Sequence, residues 1–299
     1  MTDTRAFGID VSRYDGLLNW DAIDKHIPKI TWIDFRCTIS WGYRDPFFMA
    51  NWKEAKARGY NRAAYHVDYP EQDPIRQMDN LFGHIGNDLT SNDRFVLDDE
   101  VEGGEHDVSV ARHTATIRKI ADLIFARTLT KPRLYSRAEF LNRKVDMTQL
   151  LDLDLHLAQY LSKPLLTAYA NEHPGPPALP KNAEKWLVHQ TGDKLPPFCA
   201  GTTKQYQDYD RWNGDEAAVN KYFGRDDHTV YLPVVIAAPD PHIAQLETAR
   251  NEMEDVKVGL LAARNVMEGE IQVTLNKFNE LLVAQLGEID YIINTVLKG

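Results

Sequence analysis

Residues 94–104 read Arg-Phe-Val-Leu-Asp-Asp-Glu-Val-Glu-Gly-Gly, an apolar strand that ends abruptly in carboxylates. Side chains alternate along a strand, so Asp98 and Glu100 point one way and Asp99 the other. Two carboxylates crowded on one face cannot both ionise freely. One is pushed up in pKa and stays protonated beside an ionised partner. Cleavage of a glycosidic bond uses such a pair. The same residue types also suit a Mg²⁺ or Ca²⁺ site, or a solvated acidic loop continuing through Glu102, Glu105 and Asp107.

Two further acidic positions have the same character. Asp10, in Gly8-Ile-Asp-Val-Ser, stands at the end of the first apolar run, and Asp208 opens the cluster Asp208-Tyr-Asp-Arg-Trp-Asn-Gly. Taken singly, each reads equally as a helix cap or a turn residue.

These positions make sense only on a scaffold that gathers strand ends. Between residues 1 and 224, short β-rich runs alternate with amphipathic stretches. Strands are predicted at Phe7–Val11, Trp32–Thr38, Ala63–Val67, Arg94–Leu97, Pro132–Tyr135, Leu155–Tyr160, Leu165–Tyr169 and Trp186–Gln190. Helices are predicted at Trp20–His26, Phe47–Arg58, Asp73–Ile85, Ser109–Arg127 and Ala138–Asn142; Phe48, Trp52 and Ala55 mark one apolar face. Repeated βα units imply an α/β fold, an irregular parallel (β/α) barrel of the TIM type, whose C-terminal strand ends form the site. First and last strands of a barrel are neighbours, which would bring Asp10 and Asp208 together.

Bulk properties narrow the function classes. The 299-residue chain carries a formal net charge of -10 with no basic stripe, a poor composition for binding nucleic acid. Its two cysteines, Cys37 and Cys199, read as buried thiols or a single disulfide, not a disulfide scaffold. The first residues lack the apolar core of a signal peptide, and no apolar run is long enough to span a bilayer. Cytoplasmic synthesis is therefore expected.

Residues 225–241, punctuated by Pro233, Pro239 and Pro241, read as a linker; Val230–Ile236 either adds a strand to the barrel or packs on its surface. From residue 242 to the end no proline occurs. Leu246, Met253, Leu260 and Met267 recur every seven residues, with Ala249, Val256 and Ala263 between them. After a four-residue step from Ile271 to Leu275, the seam resumes at Phe278, Leu282, Gln285, Ile289, Ile292 and Val296. A long C-terminal α-helical coiled coil is predicted over 242–299. A helix of roughly 80 Å cannot leave such a seam in water. Self-association through residues 242–297, a hairpin broken near Gly269, or docking on a partner would cover it.

The ordered motifs resemble glycoside hydrolase family 25, the lysozymes of the Chalaropsis and phage-lysin type, over about residues 7–224. The resemblance rests on Gly8-Ile-Asp-Val-Ser with Asn19-Trp20, Phe35-Arg-Cys-Thr with Gly42-Tyr43, Ala64-Tyr-His, Asp98-Asp-Glu100, Tyr135-Ser, Leu157-Ala-Gln-Tyr and Asp208-Tyr-Asp-Arg-Trp-Asn-Gly. It implies a muramidase that needs no metal or organic cofactor. Glu100 would be the general acid, and Asp98 would hold the substrate's 2-acetamido group, the internal nucleophile. Asp10 and Asp208 would line the site. Tyr65, Tyr135 and Tyr160 would form sugar-contacting walls, with His66, Arg36 and Trp41 as further candidates. The chain departs from the family at Asp210, where asparagine is usual, so Asp208 and Asp210 compete for the supporting role. His156 and His189 stand where tryptophan is common.

The resemblance further implies bacterial peptidoglycan as substrate, cut between N-acetylmuramic acid and N-acetylglucosamine. A phage lysin, released by a holin or carried on a virion, fits the missing leader and the coiled coil. The rival expectation is a virion component that binds glycan with a lysozyme-like barrel.

Overall fold

The strand expected at Phe7–Val11 forms with those bounds and becomes the first stave of a closed barrel. The computed structural model describes residues 5–161, 175–195, 206–225 and 276–277. In chain order the elements are β1 (Phe7–Val11), α1 (Trp20–Asp24), β2 (Ile30–Ile39), β3 (Tyr43–Arg44), α2 (Phe48–Ala57), β4 (Asn61–Val67), α3 (Pro74–Ile85) and β5 (Arg94–Asp98). They continue with α4 (Val110–Thr128), β6 (Arg133–Ser136), α5 (Ala138–Lys144), β7 (Asp154–Ala158), β8 (Val188–Leu195), β9 (Gln207–Trp212) and α6 (Glu216–Tyr222). The predicted strand Leu165–Tyr169 lies outside the described residues, as does the linker beyond Arg225. The chain divides into two compact units, Met1–Ile236 and Ala237–Gly299; of the second, only the helical Asn276 and Lys277 are described. The predicted coiled coil otherwise lies outside the described residues.

Local chemistry sets the helix starts. Asp73 caps α3 by accepting from the Ile75 amide at 2.8 Å, with Pro74 in the first turn. The Ser109 hydroxyl caps α4 through the Arg112 amide at 3.3 Å. After α2 the chain reverses at Gly59, whose φ of +78° favours glycine.

β1, β2, β4, β5, β6, β7 and β8 run parallel, and β9 closes the barrel antiparallel to both β8 and β1. β3 is a two-residue hairpin arm on β2. The strands are staggered, as barrel closure requires. One row of cross-strand partners therefore runs Asp98, Tyr135, His156, Val188, Trp212, from the end of β5 to the end of β9.

Two cores result. The outer one packs Phe48, Trp52 and Ala55 of α2, Leu81 and Ile85 of α3, and Ile117, Ile120 and Ile124 of α4 against the outward strand residues. The inner one holds Trp32, Ala63, Val96, Tyr135, Val188 and Trp212, stoppered by Val219 of α6 and the adjoining Phe223. Gly8 is required here: a Cβ would lie 2.2 Å from the Trp32 ring. Arg133 and Asp34, both fully buried, pair inside the barrel at 2.6 Å. Cys37 is a buried free thiol, and Cys199 lies outside the described residues. Among the described residues, no helix is long and apolar enough to cross a membrane.

Candidate active site

A cavity of about 810 Å³ is lined by residues from the C-terminal ends of the parallel strands. Each enters by its place in the barrel. β1 contributes Asp10, β2 Arg36, β4 Tyr65, β5 Asp98 and β6 Tyr135; Glu100 lies two residues beyond the end of β5 and Tyr160 two beyond β7. Asp208 arrives differently. It lies near the start of β9, and because that strand runs backwards, its start meets the end of β1, with Asp208 directly opposite Asp10.

Eight of the eleven residues expected at the site share this cavity. The other three lie elsewhere. His66 follows Tyr65 on β4 and therefore faces outward, where its ring bridges the Thr38 hydroxyl (2.7 Å) and Gln77 Oε1 (3.1 Å). Burial holds it neutral, with a pKa of about 4. Trp41 is 47% exposed at the β2–β3 turn, outside the cavity lining, under the Arg76 guanidinium at 4.4 Å. Asp210 sits below the cavity, where its Oδ1 accepts from His156 Nε2 at 2.9 Å. That resolves the competition for position: Asp208 lines the cavity, and Asp210 supports His156 beneath it.

Of the two histidines that replace tryptophans, His156 lines the lower wall and His189 does not. Burial, reinforced by Arg133, drives the His156 pKa to about 3, so its ring is a neutral hydrogen-bonding group. His189 faces outward, bonded to the Gln159 carbonyl at 2.8 Å.

The acidic pair has the electrostatics that acid catalysis needs. Burial pushes Asp98 well above the usual carboxylate range, and the nearby charges of Glu100, Asp10 and Asp99 push it further. Glu100 is also raised, by the protein packed round its carboxyl and by Asp99, against the opposing charge of Arg137. The pair retains a proton where isolated carboxylates would have lost it. Among the described residues, Asp98 Oδ1 and Arg36 Nη2 are buried without a hydrogen-bond partner, an acceptor and a donor facing the cavity. Arg36 is otherwise fixed by Nε on Asp45 Oδ2 at 3.0 Å.

Sequence reading missed Gln190. Its Nε2 donates to Asp10 Oδ2 at 2.7 Å, while its Oε1 accepts from the hydroxyls of Tyr135 (2.8 Å) and Tyr160 (3.2 Å). Tyr14, Tyr69, Asp193 and Tyr206 also line the cavity unforeseen. The aromatic ones follow tyrosine's ordinary use as an apolar wall with a polar tip.

A barrel with paired, proton-retaining carboxylates at its C-terminal mouth, walled by tyrosines, has the equipment of a glycoside hydrolase. The sequence profile of the family described as Glycosyl hydrolases family 25 matches residues 9–191. The chain belongs to that family. Solved structures agree on the fold. A family GH25 lysozyme from Aspergillus fumigatus superposes with a TM-score of 0.59 at 22% identity, covering 73% of this chain and 99% of that one. The bacterial lysozyme from Streptomyces coelicolor gives 0.60 at 19% identity, covering 74% and 98%. The catalytic domain of an endolysin from bacteriophage P40 of Listeria monocytogenes gives 0.50 at 16% identity, covering 74% and 98%. No curated protein shows a significant sequence match to the chain.

Proposed function

We propose that this glycoside hydrolase is a β-1,4-N-acetylmuramidase acting on bacterial peptidoglycan between N-acetylmuramic acid and N-acetylglucosamine. The observation that carries the reading is the Asp98–Glu100 pair, raised in pKa in one cavity and backed by the acceptor Asp98 Oδ1. In this reading Glu100 gives its proton to the leaving glycosidic oxygen as the bond to C1 breaks. Asp98 accepts the N–H of the 2-acetamido group, whose carbonyl oxygen attacks C1. Glu100, now ionised, then takes a proton from the water that releases the sugar. Asp10 and Asp208 hold sugar hydroxyls or water, and Tyr65, Tyr135 and Tyr160 form the walls. Burial and the charges of Asp10, Asp98 and Asp208 raise the Tyr65 phenol well above its usual range, so it remains a donor.

Residues 242–297 would self-associate as a coiled coil and multiply contacts with a polymeric wall through effective concentration. The enzyme would be a phage lysin made in the cytoplasm and delivered by a holin or on a virion.

Reducing-end release and turbidity clearing on purified peptidoglycan test the activity, with wild type beside Glu100→Gln. The variant should lose at least about a hundredfold in rate. Activity in both, or in neither across several wall chemotypes, removes the assignment; the second result leaves a glycan-binding barrel.

A further inference from the structure

Behind the strand that carries Asp98, a second cluster of ionisable groups lies outside the catalytic cavity. Asp68 directly follows β4, Asp99 directly follows β5, and His113 lies in the first turn of α4. One candidate ligand atom from each residue lies within 4.8 Å of the other two. All three are sealed from solvent, at 0%, 0% and 1% exposure.

Its hydrogen bonding is incomplete. His113 Nε2 meets Asp99 Oδ1 at 2.6 Å, but Asp99 Oδ2 and both carboxylate oxygens of Asp68 have no partner among the described residues. Three orphaned acceptors in a sealed pocket are costly, and more so when the carboxylate is ionised with no cation beside it. Among the described residues, no lysine or arginine forms an ion pair with either aspartate, and Lys144 acts on Asp99 only through its charge.

We propose that Asp68, Asp99 and His113 bind a divalent transition-metal ion, zinc foremost. One nitrogen and two carboxylate donors match that class, three protein ligands leave one position for water, and two ionised aspartates balance the ion's charge. The ion would take the place of the proton between His113 Nε2 and Asp99 Oδ1 and of the proton on the Asp68 carboxyl. Both pass to solvent, and the ring keeps a proton on Nδ1, which has no partner among the described residues, and ligates through Nε2. The ion would join the ends of β4 and β5 to α4. Asp99 lies between Asp98 and Glu100, so the same ion would fix the backbone that presents both. This role is structural and independent of the hydrolytic reading.

Full-length protein should be analysed for metal by mass spectrometry, both as purified and after refolding from guanidinium with Zn²⁺ or Mn²⁺. Wild type should hold about one ion per chain, and Asp68→Asn and His113→Ala less than about a tenth of that. Zn²⁺ should raise the melting temperature of wild type by several degrees and leave the variants unmoved. Wild type without metal under both conditions overturns the proposal, as does metal retained by the variants. If neither variant folds, the wild-type stoichiometry and melting shift alone decide: a chain refolded with Zn²⁺ that gains neither refutes it.

Discussion

Gln190 on β8 donates to Asp10 on β1 at 2.7 Å, reaching across the interior past the intervening strand β9. With its oxygen it takes the hydroxyls of Tyr135 and Tyr160, so one amide orients a carboxylate and two phenols. The amide's orientation follows from the partners, because a carboxylate that accepts requires the NH₂ side.

Replacing Gln190 by alanine removes three hydrogen bonds, one of them to a carboxylate, beside the cavity. Loss of a hydrogen bond to a charged group is worth about 1.5–3 kcal/mol, so kcat/KM on peptidoglycan should fall about ten- to hundredfold. Gln190→Glu should fall further, because it sets a second carboxylate against Asp10. Steady-state rates within twofold of wild type would show that the amide is not needed.

The pH profile should report the tuning of Glu100. The general acid we propose works protonated, and burial raises Glu100, so activity should persist above the ordinary glutamate range and fall as pH rises through the raised pKa. Arg137 opposes the rise through its charge, and it is exposed. Arg137→Gln should therefore move the alkaline limb of kcat/KM upward. A limb that stays in place or moves downward contradicts the arrangement.

Stability should also depend on pH through His66. Its pKa falls from 6.5 to about 4 on folding. Between those values the unfolded chain binds the proton and the folded chain does not. The stabilisation is therefore complete above pH 6.5 and is lost as pH falls toward 4, an effect on the order of 3 kcal/mol. Denaturant titrations of His66→Gln across this interval should show a flatter acid-side slope than wild type, whatever the absolute stabilities. An unchanged slope would assign the acid sensitivity to other groups.

How much was legible in the sequence depends on the kind of signal each residue left. Helix starts were readable because a cap is local: Asp73 and Ser109 stand one residue before α3 and α4. The strand that carries Asp98 was readable because an apolar run ending in acids is unusual. β9 was not assigned as a strand, since Gln207-Asp-Tyr-Asp-Arg-Trp lacks apolar alternation, and its buried Asp210 and Arg211 defeat an inside-apolar rule. His66 was avoidable: strand alternation that sends Tyr65 inward sends His66 outward. Asp210 has the parity of Asp208, but two residues along a strand is about 6.6 Å, enough to carry it below the cavity. Gln190 carried no signal of type or spacing, because its importance lies in three partners from different strands and loops.

Among the described residues, the cavity lining carries Asp10, Asp193, Asp208 and the proton-sharing Asp98 and Glu100 against the single guanidinium of Arg36, with Asp34 already paired to Arg133. Such a basin concentrates small cations and repels polyanions over roughly a Debye length, about 10 Å at 0.1 M salt. A cell wall bearing acidic peptides and polymers is itself anionic, so encounter must overcome mutual repulsion. Added salt should then speed productive association, the reverse of the response of a basic wall hydrolase; initial clearing rates between low and physiological ionic strength would read the sign. Ambient counter-ions thus become part of the enzyme's working surroundings, setting how often an anionic strand comes near enough to be cut.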